Sequence, residues 1–247
     1  MPGEQSEAVI LRTFNLAEQD KIVVFLTPDK GIIKGVAKGA KKFGNRFGGS
    51  LEPLSLVKIF YYEKEGRDLV TISTADLIES FFDIQKDLQI YFSLSYFSEL
   101  VEEFLPARSG DETLYRLLLA SLKALKQGKE MNFLCRYFEA WILKITGILP
   151  DLSHCRSCGK IIPGDGWLSA SKDGVYCDGC SPWKKDKISC GEITRFMEWV
   201  RKKPPTILDP PPFSPENLNA VGKVFQNLII HHLEREPKTL RYLKTNT

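Results

Sequence analysis

Four cysteines stand at a spacing that suits a metal ion. Cys155 and Cys158 form one CxxC pair, Cys177 and Cys180 a second, and 18 residues separate the pairs. A CxxC hairpin turns two thiolates toward one ion, and a second hairpin completes a tetrahedron. The intervening length falls in the window of roughly 15–20 residues used by zinc ribbons and related modules. Gly159, Gly164, Gly166, Gly174 and Gly179 supply the backbone freedom such knuckles require. Four sulfurs close the coordination shell, and no HxE or HExxH motif stands beside them. The expected role of the zinc is therefore structural, not catalytic. A thioredoxin-like redox pair is the competing chemistry, but it would open a helix after a strand in an α/β unit, a pattern absent here. His154, beside Cys155, is an alternative ligand and iron an alternative occupant, although a lone ribbon-like spacing favours zinc. Cys190, in a helix cap, and Cys135, on an apolar helical face, are read as structural.

A second cluster is cationic. Between Asp29 and Glu52 there is no acidic residue, whereas Lys30, Lys34, Lys38, Lys41, Lys42 and Arg46 all carry charge. Phe43 and Phe47 alternate with them, and glycines are expected to keep the segment flexible. Cations that track phosphates, with aromatics that stack bases, are what single-strand binding needs. The competing reading is a solvated basic loop with both phenyl rings folded into the core. Neither GxxxxGK[ST] nor a GxGxxG turn is present, so no nucleotide-phosphate loop is expected.

Elements must position these groups. Ala8 to Phe14, Lys21 to Thr27, Ile32 to Lys38, Leu56 to Glu63 and Leu69 to Thr74 read as short strands. Turn chemistry at Pro28-Asp29-Lys30-Gly31 and Glu65-Gly66 divides them. A five-stranded Greek-key barrel of OB type fits, with the basic segment on its third strand and the following connection. The pattern itself also leaves an SH3-like barrel open. From about Asp76 the period becomes helical: an imperfect stripe from Leu88 to Val101 precedes clean ones from Leu114 to Leu125 and from Met131 to Ile145, with breakers at Pro106 to Gly110 and Gly128. After the cysteine module, Ser189-Cys190-Gly191-Glu192 matches a capping box. Ser214-Pro215 opens a helix predicted to run to about Glu236. Lys203 to Pro215, with six prolines, reads as a rigid connector.

The expected class is thus α+β and multi-modular: an N-terminal OB-type barrel, then a helical domain with an inserted four-cysteine zinc module. The expected divisions are 1–80 for a nucleic-acid-binding barrel, 81–150 for a helical bundle, 151–183 for the zinc module and 184–247 for C-terminal helices packing on the helical domain. Ordinary globular composition (43% hydrophobic, 26% charged) excludes wholesale disorder, and a net charge of +3 names no partner. No apolar run reaches the roughly 18 residues needed to span a bilayer, and the N-terminus does not read as a secretion signal. These features lead us to expect a cytoplasmic protein. The three histidines, His154, His231 and His232, sit in no catalytic arrangement, and GxSxG and paired-carboxylate signatures are missing, so no enzyme is expected.

The order of parts resembles the bacterial recombination mediator family RecO. The segment Lys38-Gly39-Ala40-Lys41-Lys42-Phe43-Gly44-Asn45-Arg46-Phe47-Gly48-Gly49-Ser50-Leu51-Glu52-Pro53-Leu54 is similar to the family's basic "KGA" and "FGG-x-LEP" stretches. The cysteine quartet after Gly147-Ile148-Leu149-Pro150 and the terminal Lys238-Thr239-Leu240-Arg241-Tyr242-Leu243 also fit. The resemblance implies a non-catalytic, nucleoid-associated DNA-repair protein. Such a protein binds single- and double-stranded DNA, anneals complementary strands and, with RecR, assists RecA loading on DNA coated by single-strand DNA-binding protein. Lys34, Lys38, Lys41, Lys42 and Arg46 would then neutralise the two phosphate backbones during pairing. Two other functions compete: a zinc-stabilised protein-interaction scaffold and an RNA-binding factor.

Overall fold

The strand-rich first third forms β1 (Gly3–Leu16), β2 (Asp20–Thr27), β3 (Gly31–Ala37), β4 (Leu56–Tyr62) and β5 (Val70–Glu79). The structure, a computed structural model, describes residues 3–64, 66–208 and 212–244. All five expected strands are present, the first and last longer than the apolar pattern alone suggested. Glu65, half of one expected turn, lies outside the described residues.

The strands close as β1-β2-β3-β5-β4, with β4 returning to β1. One long strand serves two neighbours: β1 pairs with β4 from Gly3 to Val9 and with β2 from Val9 to Leu16. The bulge between Ile10 and Arg12 supplies the bend this requires. The seam is a short parallel pairing of β3 with β5, Gly35 opposite Val70 and Ala37 opposite Ile72. This is the five-stranded Greek-key closure of an OB-type barrel, and it resolves the choice the strand pattern left open. Alternate residues fill the interior, among them Ile10, Phe25, Ile33, Ile59, Tyr61 and Ile72.

After a single 3₁₀ turn, helices α1 (Leu88–Phe104), α2 (Glu112–Lys126) and α3 (Met131–Ile145) follow. Side chains satisfy their first free N–H groups: Asp87 accepts from Gln89 and Ile90, Asp111 from Leu114, and Glu130 from Asn132 and Phe133. The α1–α2 connection does more than break a helix. Ala107 pairs in parallel with Ile32, and the Arg108 N–H donates to the Ile32 carbonyl at 3.2 Å. The part of β3 that β5 leaves uncovered is thereby sealed. The backbones meet so closely that a Cβ on Gly31 would lie 2.1 Å from the Ser109 oxygen, and one on Gly110 1.8 Å from the Asp29 oxygen. Gly31 also holds a positive φ of 64°.

Two compact units result. The first comprises the chain up to Leu122 together with the segment from Tyr242 onward; the second is Lys123–Arg241. In the first, Arg12 of β1 pairs with Glu102 of α1 at 2.6 Å, and the Tyr242 ring stacks on Phe92 of α1 at 4.9 Å and 9°.

The second unit adds β6 (Asp165–Leu168), β7 (Val175–Tyr176), β8 (Lys187–Ser189), α4 (Cys190–Val200) and α5 (Pro215–Leu233); the short α6 (Leu240–Lys244) begins in it and passes into the first unit at Tyr242. Phe133 and Tyr137 of α3, Phe196 and Trp199 of α4, Phe213 just before α5 and Phe225 within it form a linked set of edge-to-face and tilted ring contacts. A buried Arg136–Glu139 pair (2.8 Å) lies between α3 and α5, and Gln226 also donates to Glu139. Gly222 makes room for it, since a Cβ there would meet the Arg136 guanidinium at 1.7 Å.

Two expectations need correction. Helix α4 starts where the capping box placed it, but the box does not form: Ser189 makes no side-chain cap bond, because it ends strand β8. The Glu192 carboxylate instead takes Arg195 (2.7 Å) and Asn217 (3.0 Å). Ser214 caps α5 as expected, but the helix stops at Leu233, where Glu234 turns left-handed. Part of the proline-rich connector, 209–211, lies outside the described residues. Its preceding segment is tied back by Lys129, whose ammonium donates to the Leu208 carbonyl at 2.6 Å.

Candidate metal centre and nucleic-acid interface

The first CxxC knuckle is closed by bonds from the Cys155 N–H to the Lys160 carbonyl and from the Gly159 N–H to the Cys155 carbonyl, each 2.8 Å. The second is closed by Cys180 and Ser181 N–H groups on the Cys177 carbonyl, each at 3.0 Å. The sheet β7-β6-β8 brings the two together, because Cys155 bridges in parallel to Val175 at the start of β7. All four Sγ atoms lie within 4.8 Å of one another, Cys158 and Cys177 at 3.9 Å. A tetrahedron with Zn–S bonds of about 2.3 Å has edges of about 3.8 Å, so the donor set and its size fit a tetrathiolate ion. None of the four is in a disulfide.

Burial opposes ionisation of Cys155, yet the N–H groups of Cys177, Cys158 and Ser157 bring its thiol down to about 6. Hydrogen bonds to the Cys177 and Cys158 sulfurs, with burial, push Cys180 up to about 12. Around the quartet, Lys184 pairs with Asp178 (2.9 Å) and the Trp167 indole donates to it (3.3 Å), holding that carboxyl below the usual range. His154 is turned to Asp151 (2.9 Å) and Ser153 (2.8 Å) and is not part of the sulfur cluster. Cys190 and Cys135 are buried.

The cationic segment is β3 and the turns that follow it. Lys34, Lys38, Lys41, Lys42 and Arg46 are all exposed, but they do not form one uniform group. Among the described residues, no acidic side chain pairs with Lys34, Lys38, Lys41 or Lys42. Lys34 lies within electrostatic reach of Glu102 on α1, a carboxyl that burial pushes up and that Arg12 and Lys34 pull down. Arg46 reaches back to the barrel: its Nε donates to the Ser73 carbonyl at 2.7 Å, and its guanidinium covers the Phe47 ring at 4.6 Å. Lys30, next to Asp29 in sequence, is paired in space with Glu4 and with Glu63 (3.5 Å).

The segment is also tied to the barrel by hydrogen bonds and buried side chains. Gly39 N–H donates to the Asp20 carboxylate at 2.7 Å and Lys41 N–H to the Gln19 carbonyl at 3.0 Å, pinning the loop to the β1–β2 turn. Ala40, Phe47 and Leu51 enter the barrel core. The two aromatics therefore part company: Phe47 is 3% exposed and Phe43 108%. Sequence reasoning missed the anchors Asp20 and Asn45, for which a short polar side chain beside a glycine turn was the available signal.

Comparison with known proteins adds an independent line. Residues 1–81 match the family described as "Recombination protein O N terminal", and residues 85–241 match "Recombination protein O C terminal". The chain is 37% identical over 174 residues to a protein of Koribacter versatilis, covering 70% of this chain and 71% of that one. It is 30% identical to a protein of Desulforudis audaxviator, over 99% of this chain and 97% of that one. It is also 30% identical to one of Geobacter metallireducens, over 99% and 98%. Each of the three carries the name "DNA repair protein RecO".

Proposed function

Because the chain belongs to the recombination protein O family, RecO, we propose that it acts in DNA repair as a non-catalytic recombination mediator. It binds single- and double-stranded DNA, anneals complementary strands and, together with RecR, helps load RecA onto DNA coated by single-strand DNA-binding protein. It works in the cytoplasm, at the nucleoid. The observation that carries the DNA-binding reading is the exposed, acid-free row of Lys38, Lys41 and Lys42 on a hydrogen-bonded loop, with Lys34 on the adjoining strand. These ammonium groups, and the Arg46 donors not committed to the barrel, neutralise phosphates. Two backbones brought to one such surface repel each other less, so base pairing proceeds without nucleotide hydrolysis.

The four-part division at 80, 150 and 183 is part of this proposal. In it the second part supplies helices for partners, and the third is held by structural zinc on Cys155, Cys158, Cys177 and Cys180. An all-sulfur donor set suits that ion, which would clamp the two knuckles. Among the described residues, no helix is long and apolar enough to cross a membrane.

The test is a salt titration of binding to fluorescent single-stranded DNA. Five neutralised phosphates give a slope of log K against log[salt] near −3.5, at roughly −0.7 each on single strands. Changing Lys38, Lys41 and Lys42 to Glu is expected to abolish measurable binding. Flat or undetectable binding by the wild type at low salt, or a triple variant of unchanged affinity, overturns the assignment of this surface.

A further inference from the structure

One side chain, Asn45, closes the tip of the loop that carries the lysines. Residues 42–45 form a tight turn closed twice on the same acceptor. The Asn45 N–H donates to the Lys42 carbonyl at 3.1 Å, and the Asn45 side-chain amide donates to it at 3.0 Å. The Asn45 Oδ1 in turn accepts from the Phe47 N–H at 3.0 Å. Phe43 and Gly44 are the central residues, and Gly44 takes the positive φ, +67°, that the second central position of a type II turn demands. The turn thus projects the Phe43 ring from its outer corner. That ring is as exposed as in an extended chain, at 108%, between Lys42 and the turn glycine. Nothing lies within 4 Å of a Cβ built on Gly44, Gly48 or Gly49, so the surroundings are open on that side. A phenyl ring presented to water on a hydrogen-bonded turn next to cations has one obvious chemical complement, another flat ring attached to an anion.

We propose that Phe43 is a base-stacking residue that gives the site its preference for unpaired over paired strands. The proposal rests on the DNA-binding reading above and deepens it. The lysines contact phosphate, which both forms of DNA present. A ring can stack only on a base whose face is free, which a duplex interior does not offer. When two strands pair, the base restacks into the duplex and gives up Phe43, so the annealed product is held by charge alone and leaves more readily than the substrate.

The experiment compares wild type, Phe43→Ala, Phe43→Trp and Lys41→Glu/Lys42→Glu on an oligothymidylate and on a duplex of equal length. Because Phe43 is fully exposed, the alanine variant keeps the wild-type melting temperature. It is expected to lose about five- to a hundredfold in single-strand affinity, the range of one base–aromatic stack, with duplex affinity and the single-strand salt slope unchanged. Phe43→Trp is expected to restore single-strand affinity and to show, beyond the signal of the native tryptophans, fluorescence quenching by single strands but not by duplex. Wild-type affinity of the alanine variant for single strands, or an equal loss on both DNAs, overturns the proposal. If that happens while the double lysine variant is impaired on both DNAs, the DNA-binding reading stands and this one alone fails. Absence of salt-steep binding by the wild type overturns both.

Discussion

Charged residues in the basic segment differ in what they can be asked to do. The lysines end in solvent, so their loss is expected to change DNA affinity and not folding. Arg46 is different: its planar guanidinium serves the Ser73 carbonyl and the Phe47 ring together. An ammonium cannot reproduce that geometry. Arg46→Lys is therefore expected to lower the thermal midpoint as Arg46→Ala does, by roughly 1 kcal/mol in each case, whereas Lys41→Ala leaves it unmoved. A pH effect belongs to the opposite end of β1. The Glu4 carboxyl is held below its ordinary value by the Lys30 ammonium, against burial and with help from the Tyr61 hydroxyl, which donates to it at 2.9 Å. A depressed folded-state pKa stabilises above the unfolded-state value and is lost as pH falls through the folded one. Unfolding midpoints are thus expected to drop below about pH 4.5. In Glu4→Gln that part of the drop is absent, and stability at neutral pH is lower by less than about 1 kcal/mol. Lys30 also shows where sequence reading stops. Along the chain it opens the acid-free stretch that begins after Asp29, but Glu4 and Glu63 arrive through β1–β4 pairing, which no local pattern announces. Phe43 and Phe47 were equally indistinguishable, because loop residues have no period to mark which of them faces the core.

Elements were more legible, for reasons that differ by type. The five barrel strands were visible because one face of each is buried, so apolar residues recur; the barrel's closure was not, since a three-residue parallel seam leaves no trace in composition. The clustering of the four cysteines was legible because each pair is set within its own CxxC hairpin, and the Cys155–Val175 bridge brings the hairpins together. The α4 cap failed because the sequence motif specifies residues and not their competitors, and Asn217 and Arg195 took the glutamate. The α1–α2 connection was read only as a breaker, yet it completes the edge of β3. Its close approach sets a sharp expectation. Gly31→Ala and Gly110→Ala each place a methyl group against a backbone oxygen. Each is expected to destabilise by about 1–3 kcal/mol in denaturant titrations, as overpacking does. Gly44→Ala meets no atom, so its cost is confined to the strained φ of its turn.

For the molecule as a whole, the cysteine cluster and the basic loop belong to different compact units, so disturbing one is expected to leave the other intact. Chelation, or Cys177→Ser, is expected to release the ion, open residues 151–189 to protease and lower the unfolding midpoint of the second unit. Single-strand affinity is expected to stay within about twofold of wild type, as for sites that share no partners. A parallel fall in both would mean that the units do not behave separately. The chain's path between them carries one more consequence. It leaves the first unit within α2 and returns to it at Tyr242, whose ring lies flat on Phe92. While the first unit stays folded, the second is therefore a closed loop and not a dangling tail. Its unfolded ensemble is denied the conformations in which its ends drift apart, and less entropy is released when it opens. The effect can be no stronger than its weaker fastening, and a stacked aromatic pair supplies roughly 0.5–1.5 kcal/mol of that hold. A ring contact within the first unit is thus expected to set part of the thermal resilience of the second.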